Sequence, residues 1–225
     1  MSEGRLADRA YSGIVAMINA DGLAVGDRLP SEARLAERFG MSRTVVREAL
    51  VRLAADRITE ARRGAGSFVK SRPSDRLAAF MPLAELPWTI GSYEVRFVLE
   101  AKAARLAALR RSPEEMSHIE EGLERLRAAL LSSAPAHLED MELHRRIAAA
   151  TGNPAFGTAF DSLAPDIDRI MQAGVDISRS QPPTAIRTMM REHEMIVGAI
   201  RAQDADGAAL AMRWHLFEGR KRLMP

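Results

Sequence analysis

The chain contains no cysteine. Disulfides and thiolate metal sites are therefore excluded, and a reducing compartment is allowed. Aromatic residues make up only 5% of its 225 residues. No run approaches the roughly 18 apolar residues of a membrane span. The first twenty-two residues lack a basic cap followed by an unbroken apolar core, so they do not read as a signal peptide. These absences point to a soluble, cytoplasmic protein with no membrane partner. Lysine is also scarce: 29 of the 32 basic residues are arginine, and the formal charge is only +2. That charge is unevenly placed. Residues 1–70 carry 12 basic and 9 acidic side chains, and residues 71–225 carry 20 and 21. The sign of the imbalance suits an N-terminal part that meets phosphate.

What is present is mostly helical punctuation. Leu6, Ala10, Ile14, Met17 and Ile18 share one face, which predicts an amphipathic helix over 4–20. Ser31 caps a second helix, with Leu35, Ala36 and Phe39 inward, and Gly40 suits its left-handed stop. Ser42 is the next cap. From it Val45, Val46, Ala49, Leu50 and Leu53 form an apolar stripe, leaving Arg43, Thr44 and Arg47 outward near the helix start. Recognition helices contact bases with their N-terminal residues, and arginine can pair bidentately with guanine. Two short strands follow, with Arg62, Arg63, Gly64, Ala65 and Gly66 expected at the turn between them. A glycine tip allows close backbone approach, and its arginines can meet phosphates or a narrow minor groove. The competing reading is a small domain with a solvated arginine face.

The expected domains are 1–70, a linker over 71–76, and an all-helical domain over 77–225. Within the last, the pattern predicts a short helix at 75–84, before Pro87, and longer ones at 92–110, 114–131, 136–151, 154–174, 184–203 and 205–222. Pro165 is expected to kink the fifth of these. The expected fold is mainly α: a three-helix, two-stranded winged helix-turn-helix joined to a six- or seven-helix bundle.

Asp140 and His144, four apart, share a helix face; His193 and His215 lie in the middle of two later helices. Carboxylate with imidazole suits a divalent first-row metal. On spacing alone, an interior histidine is more often a hydrogen-bonded core residue than a ligand. Arg96 and Glu100, also four apart, could pair on a helix surface.

Residues 28–69 resemble the winged helix-turn-helix of the GntR family of bacterial transcription regulators. Gly26, Leu29, Pro30, Ser31, Glu32, Leu35, Ala36, Ser42, Arg43, Thr44, Val46, Arg47, Glu48, Ala49, Leu50 and Leu53 match its pattern, as do Gly64, Gly66, Phe68 and Val69. Two positions depart from it. Ala33 stands where the family has a DNA-contacting arginine, with Arg34 one position later, and Arg57 stands where the family has glycine before the wing. The later part resembles the FCD effector domain of the FadR-type branch. It carries Arg96 and Glu100, Asp140 and His144, the Gly152-Asn153 turn, Glu192-His193, and His215.

The resemblance implies a metal held by Asp140, His144, His193 and His215, with zinc foremost and nickel or manganese as alternatives. It also implies that Arg96 faces the effector cavity, where it would clamp a small carboxylate. DNA contact falls to Arg34, Ser42, Arg43, Thr44, Arg47, Arg62, Arg63 and Gly64. The function it implies is a homodimeric repressor on a pseudo-palindromic operator in double-stranded DNA, controlled by a small organic acid. The alternative is a metal-dependent enzyme tethered to DNA by its N-terminal domain.

Overall fold

A computed structural model describes residues 3–71 and 86–223. The expected linker and the short helix at 75–84 fall almost wholly outside the described residues. The chain divides into two compact units that part between residues 91 and 92.

In the first unit, α1 (Glu3–Ala20) buries Ala7, Ala10, Tyr11, Ile14, Val15 and Ile18. Gly13 leaves room for the Phe39 ring, because a Cβ there would stand 3.0 Å from it. The Tyr11 hydroxyl donates to Asp56 at 2.7 Å, which ties α1 to the end of α3. Helices α2 (Glu32–Phe39) and α3 (Arg43–Ala55) both begin at serine caps. Ser31 accepts from the Arg34 amide and Ser42 from the Val45 amide, each satisfying a donor the helix cannot. Gly40 closes α2 at φ 63°. The stripe Val45, Val46, Ala49, Leu50 and Leu53 is buried.

Strands β1 (Thr59–Arg62) and β2 (Gly66–Val69) pair antiparallel, with Thr59 opposite Val69 and Arg62 opposite Gly66. Arg62 and Gly66 therefore form the last rung, and the turn is shortened to Arg63, Gly64 and Ala65. Arg57 does adopt the left-handed backbone, at φ 60°. A side chain there costs about 1 kcal/mol relative to glycine.

The second unit is six helices among the described residues: α4 (Leu86–Arg110), α5 (Pro113–Leu130), α6 (Ala136–Ala149), α7 (Pro154–Arg179), α8 (Thr184–Arg201) and α9 (Ala205–Leu223). Four boundaries differ from expectation by two residues or more, one of them the end of α8, at Arg201 rather than 203. Helix α4 starts at Leu86 rather than 92, because Pro87 sits in its first turn, where no intrahelical donor is needed. Helix α6 stops two residues short of the expected 151, ahead of the Gly152 turn at φ 66°. Helix α7 runs through Pro165 and five residues past the expected end, since its apolar face continues through Val175 and Ile177. Ser112 and Glu115 form a reciprocal capping box at the start of α5. Asn153 caps α7, with Pro154 in the first position.

One core gathers Ala104, Ala107 and Ala108 of α4, Ile119, Leu123 and Leu126 of α5, and Leu143 and Ile147 of α6. Ile196, Val197 and Ile200 of α8 and Met212 and Leu216 of α9 complete it. The alanines of α4 let neighbouring helices approach closely, so charged groups on the same helix are carried into the interior.

Candidate metal centre and nucleic-acid interface

The middle of this bundle is polar. Asp140 and His144 of α6, His193 of α8 and His215 of α9 are all buried, and one ligand atom from each lies within 4.8 Å of the others. The imidazole ring centroids are 4.3 to 5.9 Å apart. Asp140 Oδ1 is 2.8 Å from His193 Nε2 and 3.4 Å from His144 Nε2.

Each imidazole is held from behind through Nδ1. His144 Nδ1 meets the Glu100 carboxylate, His193 Nδ1 donates to the Met189 carbonyl at 2.9 Å, and His215 Nδ1 donates to Glu192 at 3.1 Å. An acceptor on Nδ1 fixes that proton and leaves the Nε2 lone pair facing the cluster. The His144 Nε2 atom is buried with no hydrogen-bond partner among the described residues.

This arrangement suits a metal. Three imidazole nitrogens and one carboxylate are borderline donors suited to zinc, nickel or manganese. With bonds of about 2.1 Å, tetrahedral donors on one ion stand about 3.4 Å apart, so closure from 4.8 Å asks for movements of less than about 1 Å per ligand.

The electrostatics show what the cluster does when no metal is bound. Burial pushes His144 down, but Glu100 and Asp140 outweigh it and raise its pKa to about 9. Burial raises Glu100, yet Arg96 and His144 bring it down to about 2. For Asp140, His193 and His144 overcome burial and hold the carboxyl well below its usual range. His215 is driven down by burial and by the two neighbouring imidazoles. Asp140 and Glu100 thus favour the protonated form of His144.

Beside the cluster lies a cavity of about 30 Å³ bounded by Tyr93, Arg96, Asp140, Met189, His215 and Arg222. Arg96 does both things open to it in the sequence. It pairs with Glu100, with both side chains buried, and it reaches the cavity wall, its guanidinium 5.3 Å from the Tyr93 ring centre.

Sequence reasoning missed Arg222, whose two Nη atoms donate to Glu192 at 2.8 and 2.9 Å. It also assigned no role to Glu192, which joins Arg222 to His215. The signal was present: Arg222 follows His215 by seven residues, two helical turns along the same face. His137, outside the cluster, is only 15% exposed by its side chain and lies 3.7 Å from Asp168. His118 is exposed.

On the first unit, Arg34, Ser42, Arg43, Thr44, Arg47, Arg62, Arg63 and Gly64 are all exposed. Arg47 is nonetheless engaged. Its Nε and Nη2 grip the Glu32 carboxylate of α2 at 3.1 and 2.7 Å, and Arg43 reaches the same carboxylate at 4.0 Å. The Arg47 pair holds the Glu32 carboxyl below its usual range. Arg62 lies over the Phe68 ring at 4.2 Å and pairs with Glu60 at 2.9 Å. Its cation is thereby set at the base of the wing tip, while Arg63 stands in the turn itself. Among the described residues no helix is long and apolar enough to cross a membrane.

Comparison with known proteins agrees with this division. The model of the gntR family of bacterial regulatory proteins matches residues 6–69, and the FCD domain model matches residues 92–218. The chain is 31% identical to the putative L-lactate dehydrogenase operon regulatory protein of Escherichia coli (strain K12), over 94% of this chain and 84% of that one. It is 32% identical to the Uxu operon transcriptional regulator of the same organism, over 100% and 90%. A solved GntR structure from Streptococcus agalactiae shares the fold, with a TM-score of 0.51 at 24% identity, covering 96% of this chain and 99% of that one. These relatives are transcriptional regulators, not enzymes. With family models matching both units and curated relatives above 30% identity, this chain belongs to the GntR family of bacterial transcription regulators, with an FCD domain.

Proposed function

We propose that this regulator is a cytoplasmic, dimeric repressor whose hold on a pseudo-palindromic operator is set by a small monocarboxylate bound at a metal ion in the helical unit. The observation that carries this reading is the convergence of four ligand atoms within 4.8 Å, each imidazole oriented from behind, beside a cavity walled by Arg96. Asp140, His144, His193 and His215 would hold the ion, zinc first and nickel or manganese otherwise. The ion supplies a Lewis-acid contact for one carboxylate oxygen, and Arg96 supplies hydrogen-bond donors for the other.

The charge count favours a monoanion. Arg96 is balanced by Glu100 and Arg222 by Glu192. A divalent ion against Asp140 alone leaves a single uncompensated positive charge, which one carboxylate neutralises. A dicarboxylate would bury an excess negative charge, which is costly at low dielectric. One relative is named for an L-lactate dehydrogenase operon, and lactate is a monocarboxylate of this kind.

The cavity of about 30 Å³ holds about two waters. An organic acid therefore needs its walls to part, and that displacement is how binding would select one arrangement of the protein over another. On DNA, α3 of each protomer would enter a major groove with Arg43, Thr44 and Arg47 toward the bases, while Arg34, Ser42, Arg62, Arg63 and Gly64 meet the backbone. Arg47 reads guanine only after releasing Glu32.

The test is footprinting of the metal-loaded protein on its own promoter region, with L-lactate and then with malonate, at fixed moderate salt. Protection of one palindromic site that L-lactate relieves supports the reading. Absence of a preferred site, or a stronger response to malonate, overturns it.

A further inference from the structure

The outer face of α9 is apolar where a solvated helix would be polar. Leu210 is 70% exposed and Trp214 51%, and Phe217 is exposed beside Trp214 with the ring centres 5.9 Å apart. Helix α4 extends this face. It runs antiparallel to α9, fixed at one end by Arg105 Nε on Asp206 at 3.1 Å. At the other end the Tyr93 hydroxyl stands 3.4 Å from where a Cβ on Gly219 would be. Counting along both helices sets Val98, 73% exposed, level with Trp214, and exposed Val95 level with Phe217. Contiguous exposed apolar side chains of this size mark an interaction surface.

We propose that this face is the interface with a second copy of the chain, the two α9 helices packing antiparallel across a two-fold axis beside Trp214. The order of residues along the stripe argues for that occupant. It reads Asp206, Leu210, Arg213, Trp214, Phe217, Lys221, with an acid at one end and a base at the other. All six are exposed, Lys221 having only a 3.9 Å contact to Glu218.

A two-fold contact sets the stripe against itself reversed. Asp206 then faces the partner's Lys221, and Leu210 faces the partner's Phe217. Arg213 and Trp214 straddle the axis, so each guanidinium meets the partner's Trp214 ring, a favourable cation–π geometry. Parallel packing would oppose Asp206 to Asp206 and Lys221 to Lys221, two repulsions in place of two attractions. The inference deepens the dimer of the reading above and rests on it for nothing else. Its test needs no DNA, metal or acid, so either can fail alone.

Because the chain has no cysteine, single introduced thiols report contacts without background. In the full chain, Trp214→Cys is expected to oxidise to a self-linked dimer. Differently tagged Leu210→Cys and Phe217→Cys chains are expected to form the mixed disulfide. Leu210→Cys alone is not, because its two copies stand about 10 Å apart along the axes, beyond the reach of about 7 Å for bridged Cα atoms. In sedimentation, Asp206→Lys and Lys221→Glu should each weaken the dimer several-fold, and the double variant should recover it. A parent that sediments as a monomer overturns the proposal. So does a dimer in which Trp214→Cys fails to link, or one that the double charge reversal does not restore. Either result would leave the face to another unit or another protein.

Discussion

Glu192 offers the sharpest perturbation of the helical unit, because one buried carboxylate serves two cations. It is 3% exposed and accepts two bonds from Arg222 and one from His215. Glu192→Gln preserves the shape and removes the charge. The Arg222 guanidinium, only 17% exposed, is then left without its counter-ion, and its Nε already has no hydrogen-bond partner among the described residues. Removing one member of a buried pair costs about 3–5 kcal/mol. The amide oxygen still accepts one bond and Arg222 keeps some solvent, so the lower end, about 3 kcal/mol, is expected. Adding Arg222→Leu removes the orphaned charge and should return most of that loss, to within about 1 kcal/mol of the parent, since buried pairs replaced together by apolar groups are often near neutral. The assay is urea unfolding in chelator, followed by circular dichroism and fitted with one transition per unit. Metal affinity should separate from stability. Both variants lose the carboxylate that orients His215, so both should bind metal 10–100-fold more weakly, in the usual range for such a supporting group. A double variant as unstable as the single one would refute the claim that Arg222 and Glu192 are coupled. Unchanged metal affinity in both would refute the orienting role.

Three further outcomes follow from the geometry. His193→Ala removes one of the four convergent ligands and should lower bound metal to substoichiometric levels on elemental analysis, while a footprint without effector persists; parental metal content would mean a different ligand set. Arg57→Gly should stabilise the first unit by about 1 kcal/mol, because φ 60° costs glycine nothing; an unchanged unfolding midpoint would show that the Arg57 side chain makes compensating contacts. Arg47→Ala should cost about 1–3 kcal/mol of operator affinity and relax the preference at one base pair, and equal loss on all sequences in a binding-site selection would make Arg47 a phosphate contact instead.

The first unit was legible because its rules are local. Ser31, Gly40 and Ser42 announce the ends of α2 and α3 by capping chemistry confined to a few residues, and the Val45-to-Leu53 stripe has the helix period. Boundaries failed where a proline had two permitted meanings. Pro87 was read as a stop, yet a proline in the first turn of a helix removes no bond, so α4 could begin before it. The end of α7 was set five residues early, because its apolar face beyond 174, to Ile177, still has a core to enter. For the polar centre, spacing supplied Asp140 with His144, but nothing local ties α6 to α8 and α9. Only packing brings His193 and His215 there; their mid-helix positions made them candidates, and the resemblance joined them to Asp140 and His144 as one ligand set.

The partners behind the cluster show why charge is harder to read than burial. Arg222 sits in the run Arg220-Lys221-Arg222, which in a sequence looks like a solvated end. Yet a helix turns each successive residue by 100°, so one of three consecutive bases can face inward while its neighbour Lys221 faces water. Which one turns inward depends on a carboxylate thirty residues before Arg222, on another helix. The same limit applies to Arg47. Its position at the start of α3 makes it a natural base reader, and Glu32 lies fifteen residues away on α2, where a sequence gives no reason to pair them. The turn at Gly40 folds the two helices so that they meet. The free protein therefore presents a recognition arginine already bound to a carboxylate, and operator DNA has to offer that fork a better acceptor than Glu32. A guanine edge meets that demand with two acceptors in the plane of the fork, whereas a sequence lacking guanine there leaves Arg47 on Glu32. Specificity at that base pair is thus a competition between two acceptors, and Glu32→Gln should raise affinity chiefly for guanine-bearing sequences and widen the gap between them in competition binding; an equal gain on all sequences would refute the competition.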